Sequence, residues 1–245
     1  MRQVPRKYLI IGHGRLASHL ANYFQLLEIT YFIWSRSASK EALLDLIPHA
    51  KKILIAIKDD AIEGFINEHQ LPHDKTIHFS GSLSTPLATR LHPLMTFTNS
   101  MYSLNEYQNI PFVGEINSPP LSQMIPEFEN PYYVISSEQA SLYHALCVLA
   151  GNGTIVLWQS IFKSFEKELH LPKEVLVPYL LQITKNLVDH PETALTGPWV
   201  RNDQLTISKN QKSLAGTPLS SAYLSLLNQY QSSRPQGGPS IRSLT

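Results

Sequence analysis

The residues best suited to chemistry stand near the start of the chain, in Gly12-His13-Gly14-Arg15-Leu16-Ala17. This Gly-x-Gly-x-x-Ala turn follows a short apolar run, residues 8–11, and precedes an amphipathic stretch. Gly12 permits a tight turn, Gly14 lets the backbone approach a pyrophosphate, and Ala17 lets the coming helix pack closely on the strand. The free N–H groups and dipole of the helix start favour anionic phosphates, so His13, Arg15 and Leu16 fall in the same dinucleotide site. About 20 residues further on, an NAD site places Asp or Glu against the ribose hydroxyls. Here the chain reads Trp34-Ser35-Arg36-Ser37, with no carboxylate. Arg36 can pair with a 2′-phosphate and Ser35 and Ser37 can donate to it. NADP is therefore the expected cofactor. The missing acid also counts against an S-adenosylmethionine methyltransferase, which uses a glycine turn as well.

Further candidates lie where strands end. Ser80 and Gly81 follow an apolar run at 76–79, on the carboxyl side where open α/β sheets collect ligands. Gly81 is expected beside the nicotinamide end of the cofactor. Ser80 either bonds a substrate oxygen or bonds its own backbone as a turn residue. His92 is the expected proton donor, because imidazole titrates near neutral pH and the following Pro93 biases it towards an extended backbone. Its other reading is a histidine that ties down a loop. His144 falls on a helical stretch and is read either as a satisfied buried histidine or as a substrate contact. Asn152, in Gly151-Asn152-Gly153, has the chemistry of a helix end. Asn186 sits mid-helix, where asparagine has poor propensity, which invites a packing or ligand explanation. Arg201 can grip a carboxylate bidentately or pair with Asp203, itself suited to capping a helix. No His-Glu-x-x-His and no cysteine cluster occurs, so no metal is expected.

These residues need elements to position them. Residues 8–11, 31–34, 53–57 and 76–79 read as strands, separated by helical stretches around 15–27, 39–46 and 61–68, the mark of βαβ units. Asp59 or Asp60 is expected to cap the third helix. Two more strands, 111–115 and 132–135, are expected to extend the same sheet. After Ser136 strand signals stop and helical periodicity continues through 137–150, 155–169, 173–188, 204–214 and 220–230. The expected fold class is an α/β N-terminal domain, residues 1–136, followed by an all-helical domain, 137–230. Residues 231–245, rich in Ser, Gly, Pro and Gln, read as a disordered tail.

Composition narrows the partners. The chain has 245 residues, 43% hydrophobic and 16% charged, with a formal net charge of +1. Such a balance gives no global field for nucleic acid or acidic membranes. A single cysteine, Cys147, excludes an intrachain disulfide and suits a reducing compartment. No uninterrupted apolar run reaches the roughly 20 residues of a membrane span. A soluble cytoplasmic protein acting on a small molecule is expected.

Several segments carry a family resemblance: residues 12–20, His78-Phe79-Ser80-Gly81-Ser82-Leu83, Leu91-His92-Pro93-Leu94-Met95-Thr96-Phe97, Tyr143-His144-Ala145, Gly151-Asn152, and 194–198 with Arg201 and Asp203. They resemble proteins that pair a Rossmann-like NADP-binding domain with a helical domain of unknown function (DUF2520 type). That family lies near ketopantoate reductase, pyrroline-5-carboxylate reductase and prephenate dehydrogenase. The chain departs from it at Gly151, where serine is expected, and at Asn202, where glycine is expected. The resemblance implies a C-terminal domain like that of 6-phosphogluconate dehydrogenase and a homodimer formed through it. It also implies hydride transfer in a cleft between the domains, with His92 at the substrate and Asn152 facing that cleft as a substrate-binding residue. A Lys-x-x-x-Asn pair of the β-hydroxyacid dehydrogenase kind is absent. The competing expectation is a non-catalytic NADP-binding sensor or interaction protein, since fold does not imply function.

Overall fold

Alternation along the first strand explains the architecture of the first half. In β1 (Lys7–Ile11), Tyr8 and Ile10 enter one buried cluster while Leu9 and Ile11 enter another. A strand covered on both faces must be apolar throughout, which is how this segment reads. The computed structural model describes residues 7–233. After β1 come α1 (Arg15–Leu26), β2 (Tyr31–Trp34), α2 (Lys40–Leu46), β3 (Ala50–Ile55), α3 (Asp59–Glu68), β4 (Thr76–His78) and β5 (Thr89–Arg90). These five strands form one parallel sheet in the order β2-β1-β3-β4-β5. The α1 helix buries Ala17, Leu20, Ala21 and Phe24, one stripe at helical spacing, against the first cluster. On the opposite face Leu43 of α2 and Ile62 and Ile66 of α3 meet Leu9, Ile11, Ile53 and Ile55. This is a Rossmann-like sheet, as expected.

The next strands depart from expectation. β6 (His92–Pro93), β7 (Phe112–Glu115) and β8 (Tyr132–Ile135), with α4 (Leu104–Gln108) and α5 (Leu121–Met124) between them, form a separate three-stranded sheet. They do not extend the first one. The side chain of Arg90 spans the two sheets: its Nη2 donates to the Gly114 carbonyl at 3.4 Å and its Nε lies 3.7 Å from Glu115. Strands of two residues carry no periodicity, which is why β5 and β6 were not foreseen.

The rest is helical: α6 (Ala140–Val148), α7 (Thr154–Glu168), α8 (Val177–Asp189), α9 (Gln204–Leu214) and α10 (Leu219–Ser233). The chain divides into two compact units, Met1–Gly151 and Asn152–Thr245. The last strand ends at Ile135, close to where strand signals stop, but α6 is grouped with the first unit. Three local expectations are corrected. Asp59 and Asp60 are not caps; Lys58 holds that position and the two acids occupy the first turn, where their charge suits the helix dipole. Asn152 does not end a helix, because Leu149–Gly153 is a π turn leading directly into α7. The helix α10 runs through Ser233, so the expected tail does not begin at 231, and its remaining residues, 234–245, lie outside the described ones.

Candidate functional site

The glycine turn has the geometry that its residue types require. Gly12 adopts φ +139°, and a Cβ there would collide with the carbonyl of Ala56, so only glycine fits. Gly14 occupies the N-cap of α1 without any side-chain cap, and nothing lies within 4 Å of where its Cβ would be. The first N–H groups of α1 therefore have no side-chain acceptor at the cap, and an approaching phosphate meets open backbone. His13, Gly14 and Arg15 are exposed around this turn, and Leu16 is half-buried. Beyond β2, Ser35 and Ser37 share a hydrogen bond of 2.8 Å. Arg36 is exposed and enters no ion pair among the described residues. The residues present fit a phosphorylated dinucleotide: an uncapped helix start, a glycine cradle and an uncommitted cation.

A second constellation gathers at the carboxyl ends of β4 and β5, all of it within the first unit. Ser80 is buried and its hydroxyl is fully engaged. It donates to Asp59 Oδ2 at 2.5 Å and accepts from the backbone N–H groups of Ser82 and Leu83 at 3.3 and 3.0 Å. A hydroxyl has one donor and two acceptor sites, so a substrate oxygen would have to displace one of these partners. Gly81, the next residue, permits a close approach: a Cβ there would strike Nδ1 of His144 and come within 3.1 Å of Cδ2 of His92. The two imidazoles are edge to face, with centroids 5.9 Å apart. Nδ1 of His92 lies 2.7 Å from the hydroxyl of Tyr143, one residue before His144 on α6. Nδ1 of His144 is buried without a hydrogen-bond partner.

Electrostatics in this cluster favour neutral imidazole. Burial is the main cause that pushes His92 down to about 4; His144 and Arg90 add to it and Asp59 opposes it. Behind it, His78 is also pushed to about 4, first by burial and then by the charge of Arg90. Burial raises the Tyr143 phenol well above the ordinary tyrosine range. Arg90 is 2% exposed, with Nε and Nη1 unbonded, and burial lowers its pKa against the opposing pull of Glu115.

Among the sequence candidates, Ser80, Gly81, His92 and His144 are thus brought together, and Gly12 to Leu16 with Ser35 to Ser37 flank the β1–α1 turn. Asn152, Asn186 and Arg201 belong to the second unit and are exposed. Asn186 accepts a 2.6 Å hydrogen bond from Gln182, one turn earlier. Asp203 caps α9 by accepting from the Thr206 N–H at 3.0 Å, and no ion pair with Arg201 occurs among the described residues. Sequence reasoning assigned no role to Tyr143, Arg90 or His78. Only the proximity of Tyr143 to His144 hinted at it, since 51 residues separate Tyr143 from His92. No group of three or more metal-ligating side chains occurs among the described residues.

Comparison with known structures agrees with this architecture. A candidate NADP oxidoreductase of Bacteroides fragilis superposes with TM-score 0.73 at 21% identity, covering 93% of this chain and 98% of that one. A Thermotoga maritima protein gives 0.68 at 22% identity, covering 92% and 97%. Pyrroline carboxylate reductase of Plasmodium falciparum, solved with NADP bound, gives 0.58 at 14% identity, covering 92% and 98%. At such identities the likeness shows a shared fold. A comparison with curated protein sequences found no match. Residues 115–230 match DUF2520, a domain of unknown function. The chain therefore carries a DUF2520 domain in its C-terminal region, behind a Rossmann-like sheet of the kind found in two-domain NADP reductases.

Proposed function

We propose that this protein is an NADP(H)-dependent oxidoreductase acting on a small polar substrate whose reacting group is a carbonyl, imine or hydroxyl. The observation that carries the reading is the uncapped start of α1 behind Gly12 and Gly14, paired with a β2 end that offers Arg36 and no carboxylate. Bound there, NADP(H) would supply the hydride chemistry. Backbone N–H groups from Gly14 onward would hold the pyrophosphate, and Ser35, Arg36 and Ser37 the 2′-phosphate. Gly81 lets the rings of His144 and His92 close on the carboxyl end of β4, and His92 offers a ring nitrogen to the reacting group. Ser80 holds the turn through Asp59, and His144 stands beside the same glycine. Asn152, Asn186 and Arg201 are assigned to substrate binding on their chemistry and exposure.

The helical half supports a homodimer in this reading. Helix Ser137–Glu168 is long and apolar enough to cross a membrane by length and composition, with mean hydropathy 1.5, and Ala140 is its one buried residue. The expectation that no segment qualifies as a span thus has one exception. Polar residues interrupt the helix, including Tyr143, His144, Asn152 and Gln159, which suits a covering protein surface better than lipid. The reading is accordingly of a soluble cytoplasmic dimer. Light scattering across protein concentration tests it; a monomer at every concentration refutes it.

Thermal unfolding with NADPH and NADH tests the function. Saturating NADPH at about 100 times its Kd should raise Tm by roughly 5–10 °C. NADH should do less, and Arg36→Asp should erase the difference. No shift with either nucleotide would sink the proposal. Binding without turnover across carbonyl and imine substrates would favour the non-catalytic sensor, a reading that the fully engaged Ser80 hydroxyl makes worth testing.

A further inference from the structure

We propose that Tyr143 is a positioning residue: its phenol donates to Nδ1 of His92 and so holds that imidazole in the tautomer whose hydrogen sits on Nε2. The distance of 2.7 Å establishes the hydrogen bond but leaves its direction open. A neutral imidazole has one donor nitrogen and one acceptor nitrogen, and a phenol can play either part. The neighbourhood decides. The acceptor bonded to the phenol is the ring nitrogen of His92, and the other polar group that acts on it from α6 is the thiol of Cys147, one turn along. Thiol sulfur is a weak acceptor and imidazole nitrogen a strong one, so the phenol hydrogen goes to Nδ1 and Cys147 is left as a donor. Burial keeps both partners in the required state, the phenol protonated and the imidazole neutral. The charged and titratable groups facing His92 are Asp59 from α3, Arg90 from β5, and Tyr143 and His144 from α6.

The consequence lies at the other edge of the ring. Nε2 has no hydrogen-bond partner among the described residues. Its bonded neighbour Cδ2 faces the space that a Cβ on Gly81 would fill. An Nε2–H at this edge is a fixed donor without a hydrogen-bond partner among the described residues, suited to an atom with a lone pair, such as a carbonyl oxygen or a neutral imine nitrogen. It is unsuited to an iminium nitrogen, which has no lone pair to offer. His92 would then polarise the acceptor as a neutral donor, and Tyr143 would act only through it. This refinement rests on the reductase reading for its use but not for its test.

Selective ¹⁵N-histidine labelling of the full chain reads the tautomer directly, without cofactor or substrate, and His92→Gln assigns the resonance by its loss. The expected result is a dominant Nε2–H form between pH 6 and 8. Tyr143→Phe should lower the ratio of Nε2–H to Nδ1–H about fivefold, the factor one ordinary hydrogen bond supplies. A tyrosine that merely packs would change stability and leave the ratio alone. A dominant Nδ1–H form in the wild-type chain would overturn the proposal, as would an unchanged ratio in Tyr143→Phe. If that variant fails to fold, the wild-type spectrum still decides. Failure here with an intact NADPH-induced Tm shift would remove the role of Tyr143 and leave the reductase reading standing.

Discussion

Up to Gly151, the strands of the parallel sheet hand alternate side chains to two buried clusters, one on each face. From Asn152 onward, Leu176, Ile207 and Leu227 are the only buried apolar side chains among the described residues. Helices α7 and α8 bury none of theirs, and Leu181, Leu187 and Val188 of α8 are 64%, 56% and 75% exposed. The difference follows from layer geometry. A parallel sheet is covered on both faces by its own crossover helices, so its core closes within one unit. A short run of helices buries a stripe from each and leaves the remaining apolar surface to whatever covers it. The first unit therefore closes its own core, whereas the second leaves most of its apolar side chains exposed.

Four measurements sharpen or break that contrast. The largest expected effect is at the ion pair between the two sheets of the first unit. Glu115→Ala leaves the Arg90 guanidinium buried and uncompensated, and should cost about 3–5 kcal/mol in denaturant unfolding. Arg90 and Glu115 replaced together by apolar residues should recover most of that loss, because paired buried charges are costly to desolvate. A small effect of the single variant would mean that water already reaches the pair.

Next come matched truncations. Leu54→Ala, at a fully buried position of β3, should destabilise by about 2–5 kcal/mol at every protein concentration. Leu181→Ala on α8 should cost less than about 0.5 kcal/mol if that face is solvated. With a second copy covering it, the cost should be larger at high protein concentration and should shrink as the protein is diluted below the dissociation constant of the dimer. Equal, concentration-independent losses at the two sites would end the contrast.

The third measurement is pH dependence, which the first unit should dominate. His78 and His92 protonate near 6.5 in the unfolded chain but only near 4 in the folded one. Between those values the unfolded state binds more protons, so stability falls as the pH drops from about 6.5 to about 4. It is unaffected above that window and flat below it. Each histidine contributes a slope of about 1.4 kcal/mol per pH unit at most. Urea midpoints at pH 7, 5.5 and 4.5 check this, and a variant lacking the His78 imidazole should show a shallower fall.

The smallest effects are at helix caps. Ser103 in the first unit forms a reciprocal capping box with Glu106, and Asp203 in the second accepts from Thr206. Replacing either with Ala should cost about 1 kcal/mol, because a cap is local and does not depend on what covers the helix. A loss at Asp203 several times that at Ser103 would show that the start of α9 holds more than its own N–H groups.

Much of the first unit was legible because local rules and tertiary packing agree there. Tyr31–Trp34 and Tyr132–Ile135 are strands at the bounds their apolar runs suggest, and in the second unit the Asp203 cap likewise follows from residue type and position. The second sheet was not legible, because two of the strands around it, β5 and β6, are too short to show periodicity. Nor was the π turn at Gly151-Asn152-Gly153. Residues that usually stop a helix are carried through it when the hydrogen-bond ladder widens.

What the sequence determined by itself is the glycine turn with its strand and helix, and the absence of an acid after β2. Both follow from residue type within one stretch of chain, where sterics and hydrogen bonding are local. What only the tertiary structure decided is the company of His92. The Tyr143 hydroxyl at Nδ1, the His144 ring across Gly81 and the buried Arg90 behind come from positions up to 52 residues away. Their effect on the imidazole depends on burial and charge at close range. Those quantities exist only once the strands and α6 are packed together.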